Sequence, residues 1–240
     1  MKLDILVIAA HPDDAELGAG GTIINEVQSG KKVGILDLTR GEMGTRGTPH
    51  TRAEEAEAAR KILGVSVRDN VDLPDSYLEN IKAYQMRIVP FIRKYKPEIV
   101  LANAIHDRHP DHAKGAKLIS DSCFLSGLRA LETTNANGEI QIAWRPKSVY
   151  HFVQDRYIKP NFVVDVTESW NKKMEAVKAY TTQFNSPLDS SEPQTPISTP
   201  DFIHFLEARA REYGRTIGVT FGEGFTTESG VGVKSLFDIF

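Results

Sequence analysis

The chain starts with an almost continuous apolar run, Leu3–Ala9, which is hydrophobic toward both faces of any strand it forms. Such a strand must be covered on both sides, as the central strands of parallel sheets are. The next segment, Leu17–Val27, has helical spacing and is followed by Gly30, a residue type that commonly ends helices. A second buried strand is predicted at Val33–Leu38. The sequence therefore opens as a strand–helix–strand unit.

Strand-like and helix-like segments alternate four times in the first half of the chain. This order predicts parallel strands joined by right-handed helical crossovers. We therefore expect an α/β fold with a Rossmann-like, mostly parallel sheet and helices on both faces. The predicted strands are Leu3–Ala9, Val33–Leu38, Val67–Leu73 and Glu98–Ala102, and the predicted helices are Leu17–Val27, Thr51–Leu63, Asn80–Tyr95 and Pro110–Leu128.

The second half of the chain has a less regular pattern. Strands are predicted at Lys147–Phe152 and Phe162–Val166, and helices at Glu168–Phe184 and Asp201–Tyr213. Between these helices, residues 185–200 contain four prolines among serines and threonines, which predicts a loop. No segment has the composition of a linker, so we expect a single domain over residues 1–240.

Composition argues against several classes of protein. With 29 basic and 32 acidic residues the formal net charge is −3, which gives no general basic field for nucleic acid. No apolar run approaches the roughly 18 residues that span a membrane. The single cysteine, Cys123, excludes an intramolecular disulfide and a cysteine-based zinc cluster. We expect a cytoplasmic protein that binds neither nucleic acid nor membranes.

Titratable residues follow directly after the first predicted strand: His11, Asp13 and Asp14, with Pro12 in the turn. Ligands of open parallel sheets bind beyond the carboxyl ends of the strands, so this turn is a candidate site. The alternative is that one aspartate only caps the next helix and that His11 is solvated.

Three glycines follow this turn, at positions 18, 20 and 21. In a dinucleotide-binding fingerprint the glycines form the turn itself and their amides face a pyrophosphate. Here a proline and two carboxylates occupy the turn. We therefore expect these glycines to lie inside the helix and to allow its close packing on the sheet.

A second polar group, residues 106–112, follows the fourth predicted strand. Pro110 fits the first turn of a helix, and His109 and His112 are spaced to face the same side. A polar loop rich in histidine is the alternative. Because the first and fourth strands are neighbours at the switch point of a doubly wound sheet, we expect the two His-Pro-Asp groups to meet. Histidine and aspartate ligands with an open position suit a catalytic Zn²⁺, although Fe²⁺ and Co²⁺ use similar sets.

These motifs resemble the signatures of the LmbE/PIG-L family of zinc-dependent N-acetylglucosaminide deacetylases. The resemblance rests on Ala10–Asp14, Glu16, Gly20–Thr22 and His109–His112, and extends to residues 37–42, 51–56, 73–75 and 223–225. Two short segments, Arg108–His112 and Lys159–Phe162, most resemble those of the bacillithiol-pathway branch, whose substrate is N-acetylglucosaminyl-malate. The resemblance implies a small amino-sugar substrate.

The same resemblance implies a role for each residue of the two motifs. Asp13 is expected to act as general base toward water and later to protonate the leaving amine. A protonated His109 is expected to face the oxyanion, and Asp111 to hold its ring. The expected zinc ligands are His11, Asp14 and His112.

Four other residues are expected to contact the substrate, although each could equally be a solvated side chain. Arg52 is predicted in the first turn of a helix, where the dipole disfavours a basic residue, and suits a malate carboxylate. Asp75 resembles a family position that contacts sugar hydroxyls. Glu42, in the glycine-rich loop 40–50, and Arg108 lie by position near the mouth of the site.

Two other functions fit the same sequence. A metal-binding sugar-recognition protein without catalysis would need the ligands but not the additional carboxylate of Asp13. A related amidase could act on another N-acyl amine, with its specificity set by loops such as residues 185–200. Relatives that the chain resembles often form trimers or hexamers, so a homo-oligomer is expected.

Overall fold

The computed structural model describes residues 1–184 and 193–239, and over these residues seven strands form one sheet. They are β1 (Ile5–Ala9), β2 (Val33–Asp37), β3 (Val67–Asn70), β4 (Ile99–Ala102), β5 (Ser148–Phe152), β6 (Phe162–Asp165) and β7 (Gly222–Thr227). Their order across the sheet is β3-β2-β1-β4-β5-β7-β6. The first five strands in this order are parallel, and β7 is antiparallel to both of its neighbours.

Helices cover both faces of the sheet, which confirms the α/β class. They are α1 (Asp14–Gln28), α2 (Pro49–Leu63), α3 (Lys82–Tyr95), α4 (Pro110–Ser126), α5 (Trp170–Lys178), α6 (Thr181–Phe184) and α7 (Pro200–Thr216). Side chains alternate along β1: Leu6 and Ile8 join the core under α3 and α4, whereas Val7 joins the core under α1. The first strand is therefore buried on both sides, as its sequence predicts.

The register of β1 and β4 places the two polar motifs together. Ile8 pairs with Ala102 in parallel, so the residues that follow each strand leave the sheet at the same edge. The turn that holds His11 follows β1, and the segment that leads to His112 in α4 follows β4. The two strands are neighbours at the switch point of the sheet, as expected.

The glycines of α1 pack closely on the sheet. A Cβ atom added to Gly18 would lie 2.1 Å from Cδ2 of Phe152, and one added to Gly21 would lie 2.6 Å from Cβ of Val166. Their absent side chains let the helix approach β5 and the chain after β6. The expected role of these glycines in packing is confirmed.

Three local predictions differ from the structure. The helix predicted from Thr51 begins earlier, at Pro49, because the side chain of Thr48 caps it by accepting from the backbone N–H of Thr51 in a reciprocal capping box. The predicted helix over residues 168–184 is divided into α5 and α6. The strand β7 is absent from the sequence prediction. Of the predicted loop 185–200, residues 185–192 lie outside the described part of the chain.

Two further features bear on the class of protein. Cys123 is buried within the core under α4, as expected of a small apolar residue. None of the helices in the described ranges has both the length and the apolar character needed to cross a membrane.

Candidate active site

A cavity of about 270 Å³ opens at the carboxyl edge of the sheet, beside the ends of β1 and β4. Its wall includes predicted residues from both motifs: His11, Asp13, Asp14, His109 and His112. The structure thus brings together side chains about a hundred positions apart in the sequence. The cavity is also lined by Arg52, Asp75 and Arg108.

His11 lies among three carboxylates. Its Nε2 is 3.0 Å from Oδ1 of Asp75 and 3.5 Å from Oδ2 of Asp111, and its Nδ1 is 3.4 Å from Oδ2 of Asp14. Burial alone would lower the pKa of His11, but its hydrogen bonds to these carboxylates raise the pKa well above its usual value. The surroundings of this imidazole therefore favour positive charge.

Asp14 joins His11 to the second motif. Its Oδ1 is 3.2 Å from Nε2 of His112, and it also accepts from Nε2 of Gln154 at 2.5 Å. The other oxygen, Oδ2, accepts from Nδ2 of Asn103 at 3.0 Å. Burial would raise the pKa of Asp14, but the charge of His112 and its other polar contacts hold the pKa well below the usual value.

His112 is fixed from its far side by a buried carboxylate. Its Nδ1 is 2.6 Å from Oδ2 of Asp107, and the other oxygen of Asp107 accepts from backbone N–H groups, including that of Arg156 at 2.9 Å. Burial opposes protonation of His112, but the charge of Asp14 and the contact with Asp107 raise its pKa to about 9. The ring is therefore held with Nε2 directed toward Asp14.

The donor set fits a divalent metal ion. Ring nitrogens of His11, His109 and His112 lie within 4.8 Å of one another, and so do ligand atoms of His11, Asp75 and Asp111. Asp14 belongs to neither group, but its two oxygens contact His11 and His112. Imidazole and carboxylate are the ligands that Zn²⁺ and other transition metals take in hydrolytic sites. A carboxylate on the remote nitrogen of each ligating histidine is the usual supporting arrangement, and Asp75 and Asp107 supply it.

Asp13 is at the N-cap position of α1 but does not cap it. Its φ of 121° lies in the left-handed region, and its side chain forms no capping hydrogen bond. Instead, its Oδ2 accepts from Nη2 of Arg52 at 3.0 Å. Burial raises the pKa of Asp13 to about 7, although the charge of Arg52 acts in the opposite direction. The capping alternative is therefore not what the structure shows for Asp13.

His109 and Asp111 are arranged differently from the expectation. Nδ1 of His109 accepts from the backbone N–H of Asp111 at 3.2 Å, so the ring is a neutral imidazole that carries its proton on Nε2. Burial and the charges of His11 and His112 lower its pKa, which also disfavours the expected protonated form. The carboxylate of Asp111 does not hold this ring but accepts from the backbone N–H groups of Ser76 and Leu78.

The predicted substrate contacts are unequally placed. The oxygens of Asp75 are engaged, because Oδ1 faces His11 and Oδ2 accepts from the backbone N–H of Met43 at 2.8 Å. Burial would raise the pKa of Asp75, but the His11 contacts lower it to about 2. Glu42 does not line the cavity but accepts from the backbone N–H of Asp75. Arg108 lines the cavity and lies 3.3 Å from Asp155.

Sequence reasoning did not single out two polar residues of this site. Asn103 directly follows β4 and joins the two motifs, because its Oδ1 accepts from the backbone N–H of Ala10 while its Nδ2 donates to Asp14. Gln154 comes shortly after the end of β5. A polar residue at the end of a buried parallel strand is the signal that both share.

Comparison with known proteins agrees with this geometry. The family model described as PIG-L, GlcNAc-PI de-N-acetylase, matches residues 6–123. Diacetylchitobiose deacetylase of Thermococcus kodakarensis is 32% identical over 238 residues, which are 95% of this chain and 84% of that protein. The crystal structure of a conserved Thermus thermophilus protein is 33% identical, with a TM-score of 0.85 and 98% of each chain covered.

The expected bacillithiol branch is a more distant match. The probable N-acetyl-α-D-glucosaminyl L-malate deacetylase 2 of Bacillus subtilis is 27% identical over 224 residues, which are 86% of this chain and 95% of that protein. That identity is lower than the identity to the chitobiose enzyme, so the branch stays a prediction. The long alignment with the Thermococcus protein and the match of the family model to both polar motifs show that this chain belongs to the PIG-L (LmbE) family of deacetylases.

Proposed function

We propose that this protein hydrolyses the acetamido group of an N-acetylglucosaminide at a metal centre formed by His11, Asp14 and His112. The observation that carries the proposal is the pairing of Asp14 with both histidines, each held on its other ring nitrogen by a buried carboxylate. A Zn²⁺ ion bound there supplies a Lewis acid for the acetyl carbonyl and acidifies water. Fe²⁺ or Co²⁺ can supply the same chemistry.

Asp13 is the general base in this proposal. Arg52 donates to its Oδ2, and Asp13 itself lines the cavity, with no donor to its Oδ1 among the described residues. From this position Asp13 takes a proton from water and then protonates the amine as the C–N bond breaks. The role of Arg52 in this proposal is to orient Asp13. The contact between Arg52 and a substrate carboxylate, which the sequence suggested, remains a second proposal.

His109 is the donor for the developing oxyanion. Because its Nδ1 accepts from the backbone N–H of Asp111, Nε2 is the ring nitrogen that remains to donate, and His109 lines the cavity. A neutral imidazole in this position donates one hydrogen bond, and the loss of such a donor typically lowers the rate by about 10²–10³.

The identity of the group attached to the sugar is the finer part of the proposal. Similarity to diacetylchitobiose deacetylase favours a neutral amino-sugar oligomer, and the motif Arg108–His112 favours N-acetylglucosaminyl-malate. A binding protein without catalysis is a weaker candidate, because the carboxylate of Asp13 is held beside the cluster although ligand binding alone does not need it.

Amine release tests the proposed reaction. The metal-loaded protein is incubated with N-acetylglucosamine, N,N′-diacetylchitobiose and N-acetylglucosaminyl-malate, and free amine and acetate are measured. We expect equal amounts of amine and acetate from at least one glycoside. Metal binding without amine from any of the three would instead support the binding function or an unrelated acyl substrate.

Replacement of Asp107 by alanine is expected to weaken zinc binding by about 10- to 100-fold, because His112 then loses the carboxylate that orients its ring. Competition with a chromophoric chelator measures the affinity. The matched control is Asp121→Ala, an aspartate within α4 whose carboxylate accepts from Asn80 and Lys117. Equal affinities for the two variants would contradict the role of Asp107.

A further inference from the structure

Three buried polar atoms without a hydrogen-bond partner belong to side chains that line the cavity. They are Nε of Arg52, Oγ1 of Thr195 and Nη1 of Arg209. The remaining atoms of this kind among the described residues belong to side chains that do not line it. A buried donor without an acceptor is costly, so a ligand acceptor in the cavity is the natural partner of these groups.

Of these three side chains, Arg52 has a proposed role in orienting Asp13, whereas Thr195 and Arg209 have none so far. Arg209 lies on α7, and its guanidinium is 5.2 Å from the ring of Phe205. Burial lowers the pKa of Arg209, and the nearby carboxylates of Asp107, Asp155 and Glu223 act in the opposite direction. Each of these carboxylates is bonded to another side chain: Asp107 to His112, Asp155 to Arg108 and Glu223 to Lys173. Within the described ranges Arg209 forms no direct ion pair, and its Nη1 has no hydrogen-bond partner.

The wall near Arg209 combines the carboxylate of Asp155 with apolar side chains. Ile197, Phe202 and Leu206 also line the cavity, and all belong to α7 or to the segment just before it. Thr195 contributes the other unpartnered group, a hydroxyl that can donate a hydrogen bond. A guanidinium and a hydroxyl beside apolar side chains suit a short carbon chain that ends in an anionic oxygen group.

We propose that Arg209 and Thr195 form an anion subsite for the group attached to the sugar. The preferred substrates are then N-acetylglucosaminides whose aglycone carries a carboxylate or a phosphate, rather than neutral amino-sugar oligomers. This inference rests on the proposed deacetylase function. It names Arg209 as a specificity-determining residue, which acts on substrate binding and not on the bond that breaks.

The test compares Arg209→Met with the wild-type protein, both metal-loaded and full length. The substrates are N-acetylglucosaminyl-malate, N-acetylglucosamine 1-phosphate and N,N′-diacetylchitobiose. A lost charge-assisted hydrogen bond raises KM for the anionic substrate by about 10- to 100-fold, with kcat nearly unchanged. KM for chitobiose is expected to stay constant. Whether the malate or the phosphate substrate shows the effect distinguishes the two anions.

The matched control is Arg215→Met, an exposed arginine on the same helix. Arg209→Lys is expected to restore part of the binding, because it returns the charge without the planar guanidinium. Thr195→Val, which replaces the hydroxyl by a methyl group, is the second variant if Arg209→Met does not fold. We expect it to raise KM for the anionic substrate several-fold. Equal effects of Arg209→Met on all three substrates, or no effect on any, would overturn the subsite.

Binding of the amine product separates this inference from the proposed function. Isothermal titration with glucosaminyl-malate and with glucosamine is carried out on the same variants. If the wild-type protein releases no amine but binds glucosaminyl-malate in a way that depends on Arg209, the deacetylase proposal fails and the subsite stands. If amine is released but neither KM nor product binding depends on Arg209, the subsite fails alone.

Discussion

Replacement of Asp13 by asparagine is expected to lower kcat by about 10²–10⁴ while zinc binding is retained. The amide cannot take a proton from water, whereas it keeps the size of the side chain and the hydrogen bond from Arg52. Asparagine also tolerates the left-handed backbone at this position, where φ is 121°. Steady-state amine release and zinc content, measured on the same preparation, check both parts.

Asp72→Asn is the matched control for this substitution. Asp72 also has a positive φ, of 63°, but it lies on the surface and pairs with Arg40. Its replacement should leave kcat unchanged. If Asp13→Asn turned over at the wild-type rate, the general base would have to be another residue; if it lost zinc as well, Asp13 would belong to the ligand set.

Replacement of Lys173 by methionine is expected to lower the free energy of unfolding by about 3–5 kcal/mol, the typical effect of breaking a buried ion pair. Nζ of Lys173 donates to Oε1 of Glu223 at 2.6 Å and to the carbonyl of Leu17 at 2.9 Å, and both charged side chains are buried. Without the ammonium, the buried carboxylate loses the cation that is bonded to it. Chemical denaturation measures the loss.

Lys117→Met is the control, because Lys117 also pairs with a carboxylate, that of Asp121, but at the surface. We expect a change below about 1 kcal/mol there. The buried pair matters to α1 in particular, since Glu223 also accepts from the backbone N–H groups of Gly21 and Thr22. Similar small changes for the two lysine variants would contradict the account of the buried pair.

The central strands could be predicted because each is marked by a local run of apolar residues. The meeting of the two polar motifs could be predicted because it follows from the order of these strands in the sheet. Leu3–Ala9 is apolar on both faces whatever packs on it, and the topology of a doubly wound sheet then brings the segments after β1 and β4 together. The same reasoning located the histidines and Asp13 of the candidate site.

The carboxylate partners of the two histidines could not be predicted. Asp75 lies 64 positions from His11, and the family resemblance implies only a contact with sugar hydroxyls for it. Asp107 lies five positions before His112, but its contact with that ring depends on the conformation of the turn before α4. The backbone N–H of Asp111 donates to Nδ1 of His109 at 3.2 Å and favours the neutral ring, which motif resemblance does not reveal.

The missed strand β7 has a physical explanation of its own. Its sequence, Gly222–Thr227, contains two glycines and lacks the alternation of a typical strand. The glycines are needed because a Cβ atom on Gly222 would lie 2.6 Å from Val163, and one on Gly224 would lie 3.0 Å from the ring of Tyr213. The strand is specified by what packs on it, namely β6 and α7.

The dependence of amine release on bound metal tests the central claim most directly. The protein is stripped with a chelator, dialysed and reloaded with increasing amounts of Zn²⁺, and amine release is measured beside zinc content. The account predicts no turnover after stripping and full recovery at about one zinc per chain. Turnover that persists in the stripped protein, or that does not follow zinc content, would contradict a metal centre at His11, Asp14 and His112.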